Sequence, residues 1–291
     1  MAGLVVGRRI DGRAFALPPV GSLVHVLIGG KTGGGKSVLM SSVAAALAAD
    51  PNVAMVGIDL KLMELALWRP RLTALANTAD DASLLLANVV AEIDRRNRLL
   101  MSLGLRSWEP ELGHRIVVFI DELARLAGVA VERLLEQARS TGDEDGSSRA
   151  DRGMFRAAKD ALAVRLAMIE HIAAVGRAAG VTLVCATQYP TADVIDPQIR
   201  SQLGMRFMLR VVSREQVRVI LGEGNQQHIS PDSIPESEPG GFWCVGAPGD
   251  SRPVRGRSLL LTDATLRQRF RDTAHLRAPQ TEVFQQHRRA A

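Results

Sequence analysis

Two short stretches combine residue types and spacing suited to phosphate chemistry. Gly30-Lys31-Thr32-Gly33-Gly34-Gly35-Lys36-Ser37 fits the pattern G-x-x-x-x-G-K-[ST] without a mismatch. Its glycines let backbone approach phosphate oxygens where a β-carbon would clash. Successive N–H groups at a helix N-terminus then attract the anion. Lys36 is suited to reach β- and γ-phosphates, and the Ser37 hydroxyl to ligate Mg²⁺. The second stretch, Asp121-Glu122, sets two adjacent acids after the apolar run Ile116–Ile120. Charge at a buried strand end is costly unless it is used. With a phosphate loop upstream, Asp121 is expected to hold Mg²⁺ through water and Glu122 to orient and deprotonate the attacking water. The plainer readings are a chance Lys-Ser after a glycine turn, and an acid pair that only caps a helix.

The segments that must position these groups argue for the chemical reading. Leu23 to Ile28 is an apolar run suited to a buried parallel strand, and the Ala/Leu-rich stretch from Val38 to Ala49 is suited to a helix. Further buried strands are expected over 53–59, 115–121, 181–187 and 205–212, with longer helical stretches between them. Asp81 to Met101 and Met154 to Ala179 have helical spacing, and Gly180 marks the end of the second. Shorter helices are expected from Asp193 to Leu203 and from Thr262 to Asp272. Leu4–Gly7 and Ala14–Leu17 flank Asp11-Gly12, a hairpin signal, and a second hairpin is expected from Phe242–Gly246 and Val254–Leu261. The charged stretch from Gly142 to Gly153 reads as a loop, and the tail after His275 as frayed.

Two polar residues and one arginine cluster keep two readings each. Asp59 ends the second strand, where ligands bind in open α/β sheets, or else pairs with Lys61 or caps a helix. Gln188 ends the fourth strand and either senses the γ-phosphate or caps. Arg95, Arg96 and Arg98 suit a solvated or subunit-facing surface better than a phosphate-backbone contact.

Composition sets outer bounds. The chain has 291 residues, 46% of them hydrophobic, enough for a sizeable core. A net charge of +5 permits nucleic-acid binding without establishing it. Cys185 and Cys244, each inside an apolar run, read as buried reduced thiols and not as a disulfide or metal site. No apolar run approaches the roughly 18 residues of a membrane span, and the first residues lack a secretory pattern, so a cytoplasmic protein is expected.

The stretches LVHVLIGGKTGGGKSVLM, VGIDLKLMELALW, RIVVFIDELARL and AAVGRAAGVTLVCATQYPTADVI, in that order, resemble the motor domain of the FtsK/SpoIIIE DNA translocase family. The likeness runs from about Leu4 to about Leu261 and extends to the single-domain transfer proteins of actinobacterial conjugative plasmids and integrative elements. It implies an α/β fold, a RecA-like P-loop NTPase of the ASCE type, with a mainly parallel central sheet and helices on both faces. It also implies an ATPase domain over 21–261, an N-terminal hairpin extension over 1–20, and a C-terminal helix with a disordered tail over 262–291. By the same resemblance Gly30 through Ser37 bind ATP, Asp121 and Glu122 are the metal and base pair, and Gln188 is the sensor. Arg177 falls where such motors place an arginine finger reaching the neighbouring subunit's nucleotide; read from its own surroundings, it only complements a helix dipole.

The implied cofactors are ATP and Mg²⁺. The implied partners are double-stranded DNA and five further copies in a hexameric ring, with recruitment to membrane or septum by membrane-anchored proteins and no membrane span of its own. The implied function is ATP-driven DNA translocation in conjugative or plasmid transfer; the alternative is a related ATPase of a protein-secretion system. Asp59-Leu60-Lys61 and Gln188-Tyr189-Pro190 depart from the family's usual Asp-Pro-Lys and Gln-Arg-Pro. The connection from Ala127 to Leu166 is longer than usual, and no winged-helix module follows.

Overall fold

The computed structural model describes residues 3–126, 149–192 and 194–284, with backbone alone over 149–159. Ten strands form one sheet: β1 (Leu4–Arg9), β2 (Ala14–Leu17), β3 (Val26–Gly29), β4 (Val53–Ile58), β5 (Leu72–Ala76), β6 (Arg115–Ile120), β7 (Val181–Thr187), β8 (Met205–Met208), β9 (Gly241–Val245) and β10 (Val254–Ser258). Their order is β2-β1-β10-β9-β8-β3-β7-β6-β4-β5. The six strands from β8 to β5 are parallel, and β9, β10, β1 and β2 extend the sheet antiparallel beyond β8.

The parallel strands are apolar on both faces because both faces are covered. Val118, Ile120, Leu183 and Cys185 face a core closed by α2 (Ala79–Leu103), α4 (Arg149–Val175) and α6 (Arg214–Leu221). Val117, Phe119, Val184 and Ala186 face the opposite core, closed by α1 (Lys36–Leu47) and α8 (Asp263–Asp272). Remaining short helices are α3 (Leu123–Leu126), α5 (Pro197–Gln202), α7 (Asn225–His228) and α9 (Gln280–Val283). The expected α/β architecture with a mainly parallel sheet and helices on both faces is what forms. Among the described residues no helix is long and apolar enough to cross a membrane. Both cysteines are free and buried, and burial pushes the Cys185 thiol up to about 12.

Several elements differ from expectation. Strand β5 was not anticipated; it lies at the sheet edge and pairs only with β4. The hairpin β1–β2 joins the main sheet, with Gly7 opposite Ser258 of β10. The helix expected to run to Ala179 ends at Val175, and its five-residue exit turn closes with Val181 N–H on Gly176 O. Helix α5 starts late, at Pro197, because the Asp196 side chain caps it by accepting the Gln198 N–H. The chain after His275 is not frayed as far as Phe284: Ala278, Val283 and Phe284 are buried against the first core. Of the loop expected over 142–153, residues 142–148 lie outside the described residues, and the remainder opens α4.

Candidate functional site

Strand β3 ends at Gly29, and the glycine loop that follows feeds α1 directly. Gly33 and Gly35 adopt φ of +77° and +94°, a region costly for other residues. A β-carbon on Gly35 would stand 2.4 Å from Gly240 N. The loop is braced from behind at three points. Gly30 N–H donates to Thr187 O, Lys31 N–H to Arg210 O, and Gly240 N–H to Gly34 O, at 2.8–3.2 Å. So braced, the loop leads straight into the N-terminus of α1, a position suited to phosphate.

The acid pair follows β6, the second neighbour along the parallel sheet. Lys36, which is 4% exposed, donates to Asp121 O at 3.1 Å and approaches Asp121 Oδ1 at 3.4 Å. The other oxygen, Asp121 Oδ2, is buried and accepts no hydrogen bond. Burial pushes the Asp121 carboxyl up from the usual carboxylate range, against the pull of Lys36 and Lys61. A carboxylate held at that cost, with one oxygen unsatisfied, fits a cation beside it. Ser37, half-buried on the first turn of α1, is the second group suited to hold Mg²⁺.

Glu122 is also buried. Its carboxylate accepts the Gln188 N–H at 3.0 Å and the Lys61 ammonium at 3.0 Å. Gln188 follows β7, the strand between β3 and β6, and its Oε1 accepts the Thr32 hydroxyl at 3.0 Å. Phosphate loop, acid pair and Gln188 thus meet at the C-terminal ends of three adjacent parallel strands, where open α/β sheets bind ligands. Asp59 ends the next strand and resolves its open reading. It accepts N–H groups of Lys61, Glu64 and Leu65, so it shapes the loop after β4 and does not pair with the Lys61 side chain.

Of the residues expected to serve the nucleotide, Arg177 is the one that lies elsewhere. It is exposed in the turn before β7, whereas Gln188 follows that strand. Seven residues of strand set the two about 20 Å apart. Among the described residues it makes no ion pair.

Two positions carry more than the sequence suggested. Lys61 stood only as a partner for Asp59, yet its ammonium sits on the acid pair. Arg96, taken with its neighbours as surface, is 2% exposed. It bonds Glu92 at 2.6 Å, lies 4.1 Å over the Trp108 ring, and donates to Ala179 O at 3.1 Å. Trp108 N–H donates to Ala178 O at 2.8 Å, so both grip the turn bearing Arg177. The signal was available: Arg96 falls on the buried stripe of Leu85, Val89, Ile93 and Leu100.

The FtsK/SpoIIIE family model matches residues 4–223. DNA translocase SpoIIIE of Bacillus subtilis is 30% identical over 283 residues, covering 89% of this chain and 30% of that protein. DNA translocase FtsK of Halalkalibacterium halodurans is 31% identical, covering 77% and 27%. The chain thus spans about a third of the length of the curated relatives it matches. Among solved structures, the pCW3 conjugation coupling protein TcpA with ATPγS superposes with a TM-score of 0.69 at 23% identity, over 89% of this chain and 66% of that one. The cytoplasmic domain of the Thermomonospora curvata type VII secretion ATPase EccC gives 0.63 at 17% identity, over 96% and 32%. These two likenesses speak for the fold. With the family model spanning most of its length and a phosphate loop facing an acid pair across one parallel sheet, the chain belongs to the FtsK/SpoIIIE family of P-loop ATPases.

Proposed function

We propose that this chain is an ATP-driven motor that moves double-stranded DNA, working as a homo-hexameric ring. The observation that carries the chemistry is the unsatisfied Asp121 Oδ2, buried beside Lys36 at the mouth of the phosphate loop. Residues 30–37 would cradle the phosphates of ATP, with Lys36 beside the β- and γ-groups. Ser37 and Asp121 would hold Mg²⁺, Asp121 through water. The bound Mg·ATP supplies the bond that is cleaved and the metal charge that offsets the phosphates. Glu122 would orient the attacking water and accept its proton. Gln188, tied to Thr32, would register the terminal phosphate. Arg177, at the far end of β7, would complete the site of a neighbouring copy.

The DNA part rests on kinship with relatives named as DNA translocases and agrees with the basic balance of the chain. For the cellular role we take transfer of plasmid or integrative-element DNA, from the cytoplasm and with membrane-anchored partners. ATP hydrolysis measured with and without long duplex DNA, at about 50 and 200 mM salt, tests it. Duplex is expected to stimulate turnover, and more strongly at low salt. Stimulation by a secreted polypeptide with no response to duplex would overturn the DNA reading in favour of the secretion alternative.

A further inference from the structure

The carboxylate read as the general base is already held on both oxygens. Glu122 Oε1 accepts the Gln188 N–H at 3.0 Å, and Oε2 accepts the Lys61 ammonium at 3.0 Å and, more weakly, the same N–H at 3.3 Å. A carboxylate held by donors on both oxygens is fixed in orientation and has fewer lone pairs free to meet a water. Lys61 also stands 3.8 Å from Asp121 Oδ2. With Lys36 on Asp121 Oδ1, the two ammonium groups flank one carboxylate.

The loop that carries Lys61 is held at its base and exposed at its tip. Asp59, 1% exposed, accepts three N–H groups of residues 61–65. Beyond that anchor, Leu62 has φ +64°, the only positive φ of a non-glycine residue among those described. Such a conformation is strained in a bulky residue. Leu62 and Met63 are 62% and 76% exposed. Arg125, three residues past Glu122, reaches back to Leu60 O at 3.4 Å. The loop is thus tied to the acid pair on one side and open to contact on the other.

We propose that Lys61 is a positioning residue that latches Glu122 and suppresses turnover until the loop spanning residues 60–64 is displaced. This rests on the reading of Glu122 as base and adds its regulation. A structural role alone would leave the unstimulated rate unchanged or lower it; a latch predicts the reverse.

The test pairs kinetics with a measurement that needs no turnover. In Lys61→Met, unstimulated kcat at saturating ATP is expected to rise about three- to tenfold, and stimulation by duplex to shrink by a similar factor. Lys61→Arg, which keeps the cation, should restore the native rate. In nucleotide-free protein, melting temperatures of Lys61→Met, Glu122→Gln and the double variant should be non-additive, because each single change breaks the same contact. Should Lys61→Met fail to fold, Lys61→Gln takes its place in both measurements. An unstimulated rate that is unchanged or lower, or additive melting shifts, would overturn the latch. Native-rate hydrolysis by Glu122→Gln would instead overturn the base assignment, while the melting cycle would still report on the contact.

Discussion

The two ends of β7 differ in how complete they are within one chain. At the C-terminal end, Gln188 joins Thr32, Glu122, Lys61 and Asp121 in one continuous network, and the one unsatisfied buried atom there calls for a cation. At the N-terminal end, the Gly176–Gly180 turn is gripped by Arg96 and Trp108, yet Arg177 projects to solvent. The contrast teaches that one end gathers its charged groups into a buried cluster, while the other leaves its charge in solvent.

The strongest way to break this comparison is Arg177→Ala. If Arg177 serves a neighbour's nucleotide, turnover should fall on the order of 10³–10⁵-fold with ATP affinity and melting temperature nearly intact. Mixing this variant with Lys36→Ala should restore part of the activity, and native mass measurement shows whether mixed rings have formed. Mixed rings without recovered activity would reduce Arg177 to a complement of the helix dipole. At the other end, Glu122→Gln should keep ATP binding while hydrolysis drops about 10²–10⁴-fold, the usual contribution of a general base.

A smaller effect sharpens the picture at the Arg177 end. His25, fully buried before β3, accepts the Leu183 N–H on Nδ1. Burial, and then the Arg177 charge, push it down from 6.5 to about 4. Above pH 6.5 neither folded nor unfolded chain protonates it; below, the unfolded chain does so first. Stability is therefore lost as pH falls from 6.5 toward 4, by about 2–3 kcal/mol. Urea midpoints at pH 7 and pH 4.5 should show this, and His25→Gln should lose less. A loss of stability alone separates out with Gly35→Ala. Its β-carbon would overlap the Gly240 backbone at positive φ, so strain and overpacking of about 1–3 kcal/mol each should appear in melting.

How much was legible depended on how local the cause was. The parallel strands could be read because strands buried on both faces are apolar almost throughout, as Ile116–Ile120 are and as Val181–Ala186 are apart from Thr182. The phosphate loop was legible because its geometry demands glycine at fixed offsets. Strand β5 was missed because it lies at an edge, where only one neighbour selects its residues. The Lys61–Glu122 contact joins residues 61 positions apart, and no spacing rule within one element reaches that far. Arg96 was masked by charged neighbours, although its helical phase placed it inward.

The bracing of the glycine loop also orders events in time. β3 lies between β7 and β8, and Gly34 is held from behind by Gly240. On the ribosome, residues 26–47 emerge long before any of these supports. At about 5–20 residues per second, the interval from Lys36 to Gly240 is roughly 10–40 s. Throughout it the strand, loop and helix exist in sequence, with neither strand edge paired and closure over so long a span slow. ATP therefore cannot template the early chain; it meets only molecules whose sheet has already closed, and rewards completion instead of guiding it.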